Sequence, residues 1–167
     1  PRPPCPIEVP VQYRIDPGIA ESVWFRGKTH SEPFEWDDER KRAGFAYFGA
    51  VKPTRVGGWD MLIDPNVPAW MRDELATAVP EVTQLYGEWF GVPLSFRPQL
   101  LFSMRGGSDF SASGGVVDDM VQFTLTGDVW QTENEMTRQR YFYLIAHETA
   151  HFWNGGMFHH NHNTGDS

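Results

Sequence analysis

The chain has 167 residues, 40% of them hydrophobic and 14% aromatic, which is enough apolar material for the core of one domain, or of one domain plus a fragment of another. A formal charge of −8 disfavours nucleic acid and anionic membrane surfaces, because an acidic chain gains nothing from their phosphates. No apolar run reaches the roughly eighteen residues of a membrane span, so a peptide or another small substrate is the partner class left open.

The start, Pro1-Arg2-Pro3-Pro4, is proline-rich and leads into the only cysteine, Cys5, so an internal disulfide and a cysteine metal site are both excluded. Beginning at Pro1 rather than methionine is what a trimmed or processed chain would do, and the compartment is unassigned. Ile7, Val9, Val11, Tyr13 and Ile15 alternate with Glu8, Pro10, Gln12 and Arg14, the period of a half-buried strand, which Pro10 confines to an edge. Asp16-Pro17-Gly18 supplies a turn, and Glu21 to Arg26 is the next expected strand. The charge run from Asp37 to Arg42 reads as a solvated loop or short helix. Two more strands are expected at Ala43 to Val51 and Arg55 to Ile63.

The pattern changes at Asp64-Pro65-Asn66. Trp70, Leu75, Val79, Val82, Leu85, Tyr86, Trp89 and Phe90 recur at helical spacing, predicting a helix from Ala69 to Phe90 that Gly91 ends and Pro80 kinks or splits. A strand, Gln99 to Met104, then opens into a glycine-rich loop, Arg105 to Gly115, and a second strand follows at Met120 to Thr126. Thr132 to Glu135 reads T-x-x-E, a capping box for a last helix running to about Asn154, where Gly155-Gly156 stops it. The expected class is α+β, with a β-rich segment over 1–64 and a helix-bearing one over 65–167.

That last helix carries His147-Glu148-Thr149-Ala150-His151, an H-E-x-x-H motif. Residues four apart on a helix share a face, with Cβ atoms about 5–6 Å apart, so both imidazoles can reach one metal ion at about 2.0–2.1 Å. Glu148 projects beside them and can take a proton from a metal-bound water, whose pKa zinc lowers to about 7. These parts describe a zinc hydrolase, with His147 and His151 as metal ligands and Glu148 as the catalytic base. A helix with two packed or solvated histidines is the alternative. The order helix, strand, glycine-rich loop, strand, motif helix sets two strands beside the metal, and the segment Val116 to Thr126 is either a cleft wall that pairs with an extended substrate or a core strand.

Several segments together resemble the catalytic domain of the gluzincin aminopeptidases, the alanyl and glycyl aminopeptidase family. They are the run from Leu85 to Pro93 containing Tyr86-Gly87-Glu88-Trp89-Phe90, the apolar strand, Gly114-Gly115 with acids after it, and Ile145 to Trp153. The match covers about Pro68 to Asn154, and the earlier part resembles the end of that family's N-terminal β-domain. The resemblance implies a zincin-like fold, a zinc cofactor and hydrolysis of peptide bonds with zinc-bound water as nucleophile. In the family, a glutamate in a Gly-x-Met-Glu-Asn segment holds the substrate's amino terminus. Here Gly114, Gly115, Asp118 and Asp119 occupy the similar place as candidate substrate-binding residues, and that glutamate is missing.

The family's third zinc ligand is a glutamate that would fall past Ser167, which implies a fragment or a chain cleaved between two halves, of low activity by itself, with a C-terminal half of the same protein as partner. The metzincin pattern fails, since it needs glycine and histidine where Asn154 and Met157 stand. His159, His160 and His162, and more weakly Asp166, are local candidates for the third position, or belong to a polar loop. A non-catalytic zincin-like binding module and an endopeptidase of the same zinc chemistry are the competing functional expectations.

Overall fold

Turn residues cut the first half of the chain into short strands, and two long helices follow. The computed structural model describes residues 12–37 and 44–157. In chain order these form β1 (Gln12–Ile15), β2 (Val23–Phe25), β3 (Lys28–His30), β4 (Phe34–Asp37), β5 (Ala46–Phe48), β6 (Thr54–Val56), β7 (Trp59–Ile63), α1 (Ala69–Phe90), β8 (Gln99–Arg105), β9 (Ser111–Val117), β10 (Met120–Thr126) and α2 (Glu135–His151). A 3-10 turn, Asp128–Gln131, precedes α2 and a π-turn, Phe152–Met157, follows it. The protein is mixed α+β. Cys5, the expected strand residues Ile7, Val9 and Val11, most of the charge run after Asp37, and His159, His160, His162 and Asp166 lie outside the described residues.

The described residues form three sheets: β1 pairs with β4, β2 lies between β3 and β5, and five strands take the order β6-β7-β8-β10-β9. In the last sheet β8 runs parallel to both β7 and β10, while β6 and β9 are antiparallel edges. It joins strands from both sides of residue 64. Alternation assigns its two faces. Trp59, Met61, Leu100, Phe102, Met104, Val121, Phe123 and Leu125 pack against Met71, Leu75 and Val79 of α1 and Tyr141, Leu144 and Ile145 of α2. Leu62, Leu101 and Met120 point the other way, onto Trp24 of the three-stranded sheet.

The fold departs from the sequence pattern at several places. The run from Arg55 to Ile63 is two strands rather than one, because Gly57 and Gly58 both take positive φ, 52° and 86°, as a two-residue hairpin turn of the primed type requires. Ser111 to Gly115, expected as loop, belongs to β9, whose small residues pair in register with the β10 backbone from Ser111 opposite Thr126 to Val117 opposite Met120. β10 therefore has both sides occupied, and among the described residues the sheet edge on this side is β9 rather than the whole segment from Val116 to Thr126. Finally, α1 is one undivided helix through Pro80, ended by Gly91 at φ 69°. Leu85 and Trp89, counted on its apolar face, are exposed.

Pro80 has no N–H to give the carbonyl one turn back, and its ring lies against Gly57 of the hairpin, where a Cβ would overlap it. Gly57→Ala is expected to cost about 1–3 kcal/mol, from backbone strain plus overlap. Gly58→Ala, at similar φ but beside open space, should cost less. Urea unfolding midpoints of the two variants check the difference.

Candidate metal centre

The start of α2 is fixed two residues later than T-x-x-E spacing suggests. Thr132 closes the 3-10 turn by donating its N–H to Val129 O at 3.3 Å, and Asn134 takes the cap position instead. Its side chain accepts from Thr137 N at 3.0 Å, while the Asn134 N–H donates to Thr137 Oγ1, also at 3.0 Å. This is a capping box with threonine in the place of glutamate.

Three hydrogen bonds then hold the helix at a set rotation. The Tyr141 hydroxyl donates to Met71 O at 2.9 Å, the Tyr86 hydroxyl to Ala146 O at 3.1 Å, and Trp153 Nε1 to Val92 O at 2.7 Å. Burial pushes the Tyr141 phenol well above its usual range, with the Glu74 carboxylate adding to the shift, so it remains a protonated donor. Tyr86, Phe90 and Trp153 stack around the end of the helix, with centroids 5.7–6.1 Å apart. With Leu144, Ile145 and Thr149 turned inward, His147 faces solvent and His151 is half-buried.

The spacing of the motif produces the expected convergence. One ligand atom each from His147, Glu148 and His151 lies within 4.8 Å of the others. The two imidazoles stand 5.0 Å apart at 86°. Two nitrogens bound to one ion at about 2.0–2.1 Å can stand up to about 4 Å apart, so small side-chain rotations would complete a two-histidine grip. Glu148 behaves differently from the histidines. It is only 6% exposed, and among the described residues its one ion-pair approach is Oε2 to His151 Nε2 at 4.0 Å. Among the described residues no hydrogen-bond donor reaches its carboxylate. Two imidazoles and a carboxylate are donors that a divalent cation takes, and their convergence fits one at this place.

The nearest wall to that carboxylate is β9. A Cβ on Gly114 would stand 2.5 Å from both Cγ and Cδ of Glu148 and 2.6 Å from Oε1. Gly114 thus makes room for the acid, a role the sequence reading did not assign. Gly115 faces the opposite side of the sheet, toward Phe45 at 3.8 Å. Asp118 and Asp119 form the β9–β10 turn, where Asp118, at φ 54°, pairs with Arg26 at 2.8 Å and Asp119 accepts from Gln99 Nε2 at 2.8 Å. Neither joins the group around the histidines. Tyr143, one turn before His147 and stacked on it at 5.6 Å and 26°, was also overlooked, although its four-residue spacing is visible in the sequence.

No protein-family model matches the chain, and no curated protein matches it. Its chemistry must be read from its own residues. Among the described residues no helix is long and apolar enough to cross a membrane.

Proposed function

We propose that the chain is the zinc-binding part of a zincin-like peptidase of the gluzincin type, with Glu148 as general base. The observation that carries this reading is the convergence of the Glu148 carboxylate with two imidazoles, one donor atom of each within 4.8 Å of the others, with Gly114 leaving room for the acid. A purely structural zinc site has no need of such an acid. Strands β9 and β10 beside the motif helix add support, since an open sheet edge next to the donor group gives an extended peptide somewhere to lie.

His147 and His151 would hold the ion. A zinc ion there would supply Lewis acidity and a water of lowered pKa, about 7. Glu148 would accept a proton on a carboxylate oxygen and give it to the leaving amine, over hydrogen-bond distance. The third ligand is expected from a segment outside the described residues.

Among the described residues no carboxylate other than Glu148 joins the donor group, and Asp118 and Asp119 are engaged with Arg26 and Gln99. With Asp118 and Asp119 engaged in this way, an endopeptidase of the same zinc chemistry is the second reading. Cleavage of N-blocked peptides, with amino-acid p-nitroanilides left intact, would bear out that second reading; the reverse would favour the aminopeptidase.

Calorimetric zinc titration of the complete polypeptide, purified without chelator, tests the ligand assignment. One zinc per chain is expected, and His147→Ala and His151→Ala should each weaken it by at least about 100-fold, more than loss of an outer-shell partner costs. A metal-free protein that takes up no added zinc would sink the hydrolase reading.

A further inference from the structure

The open face of α2 continues beyond the histidines toward the helix N-terminus. Arg140 precedes His147 by seven residues, so it shares that face about 10 Å further along the axis. Tyr143 lies between them, exposed and stacked on His147. The Arg140 guanidinium sits 4.5 Å from the ring centre of Phe110, which itself packs on Trp130 at 4.8 Å. Phe110 is the residue before β9, and its neighbour Asp109 makes no ion pair with Arg140.

Helix and strand therefore run side by side. Phe110 meets Arg140 at one end and Gly114 meets Glu148 at the other. Four strand residues cover about 13 Å and eight helix residues about 12 Å, so the two elements keep pace. On the strand side Ala112 and Gly114, small and exposed, share the helix-facing side of β9 with Phe110, on a sheet edge that no other described strand pairs with. Among the described residues Arg140 makes no ion pair and no hydrogen bond, so its planar fork of donors is unused and fixed over an aromatic ring. A guanidinium in that state is matched by a carboxylate, which it can hold through two parallel hydrogen bonds.

We propose that Arg140 determines specificity: the track between α2 and β9 takes an extended peptide bearing a carboxylate about three residues from the bond at the histidine end. The spacing follows from about 10 Å of helix and about 3.3 Å per extended residue. The carboxylate is either an acidic side chain or a free C-terminus, and both offer Arg140 the same group. The position of the cut relative to the histidines rests on the peptidase reading above, whereas the anion preference of the track does not.

The test uses the complete polypeptide and a series of capped, fluorescein-labelled hexapeptides carrying Glu, Gln or Lys at one position at a time, with binding read by anisotropy in added zinc and in EDTA. Wild type is expected to favour Glu over Gln at one position by about tenfold. Arg140→Gln should lose that preference, and Arg140→Glu should reverse it toward Lys. An uncapped peptide ending at the same position distinguishes a terminal carboxylate from a side-chain one. Equal binding of Glu and Gln peptides by wild type and Arg140→Gln, or no peptide binding at all, overturns the proposal. Anion preference without cleavage in zinc would count against the hydrolase and leave the Arg140 assignment standing.

Discussion

Glu148→Gln in the complete polypeptide is expected to keep its zinc and lose about 10²–10⁴-fold in turnover, the range a positioned general base contributes. Glutamine has the same shape, so it should fit the space beside Gly114, but it cannot accept and return a proton. Metal analysis and kcat/KM on peptides measure the two expectations separately. A Gln variant that cleaves at the normal rate would rule Glu148 out as the base.

Gly114→Ala is expected to have the second largest effect, and by a different route. The added methyl would lie 2.5 Å from two carbons of the Glu148 side chain, closer than real Cβ atoms approach, so the carboxylate must move. A displacement of about 1 Å from productive geometry costs on the order of 10²-fold. The three atoms nearest the added methyl all belong to Glu148 and none to His147 or His151, so zinc affinity is expected to change less than turnover. Gly115→Ala is the control: among the described residues its methyl meets only Phe45, at an ordinary 3.8 Å, and activity should be nearly unchanged. Combining Gly114→Ala with Glu148→Gln should add little to the loss from Glu148→Gln alone, because both act on one group. Full additivity would mean that Gly114 works through something other than the acid.

Where side-chain periodicity and a strong terminator coincide, as from Trp70 to Gly91, the expected and observed helix bounds agree. The motif was equally legible, since a four-residue spacing on a helix fixes the meeting of His147 and His151 whatever surrounds it. β9 was not legible. Ser111 to Gly115 has the composition of a loop, and it becomes a strand because β10 supplies a backbone to pair with. β3 and β4 were missed for a related reason: Lys28–His30 and Phe34–Asp37 are short and largely polar, and are defined by their partners β2 and β1. The contact between Gly114 and Glu148 joins residues far apart in sequence, and a glycine carries no local sign of what it makes room for.

Because β7 lies against β8 inside the five-stranded sheet, the stretch from Asp64 onward is not a self-sufficient unit. Expressed from that point, it would present the bare backbone of β8, a buried apolar strand, to any neighbouring molecule. A soluble minimal version of the motif helix and its sheet would have to begin no later than Thr54, so that the Gly57-Gly58 hairpin still shields that flank.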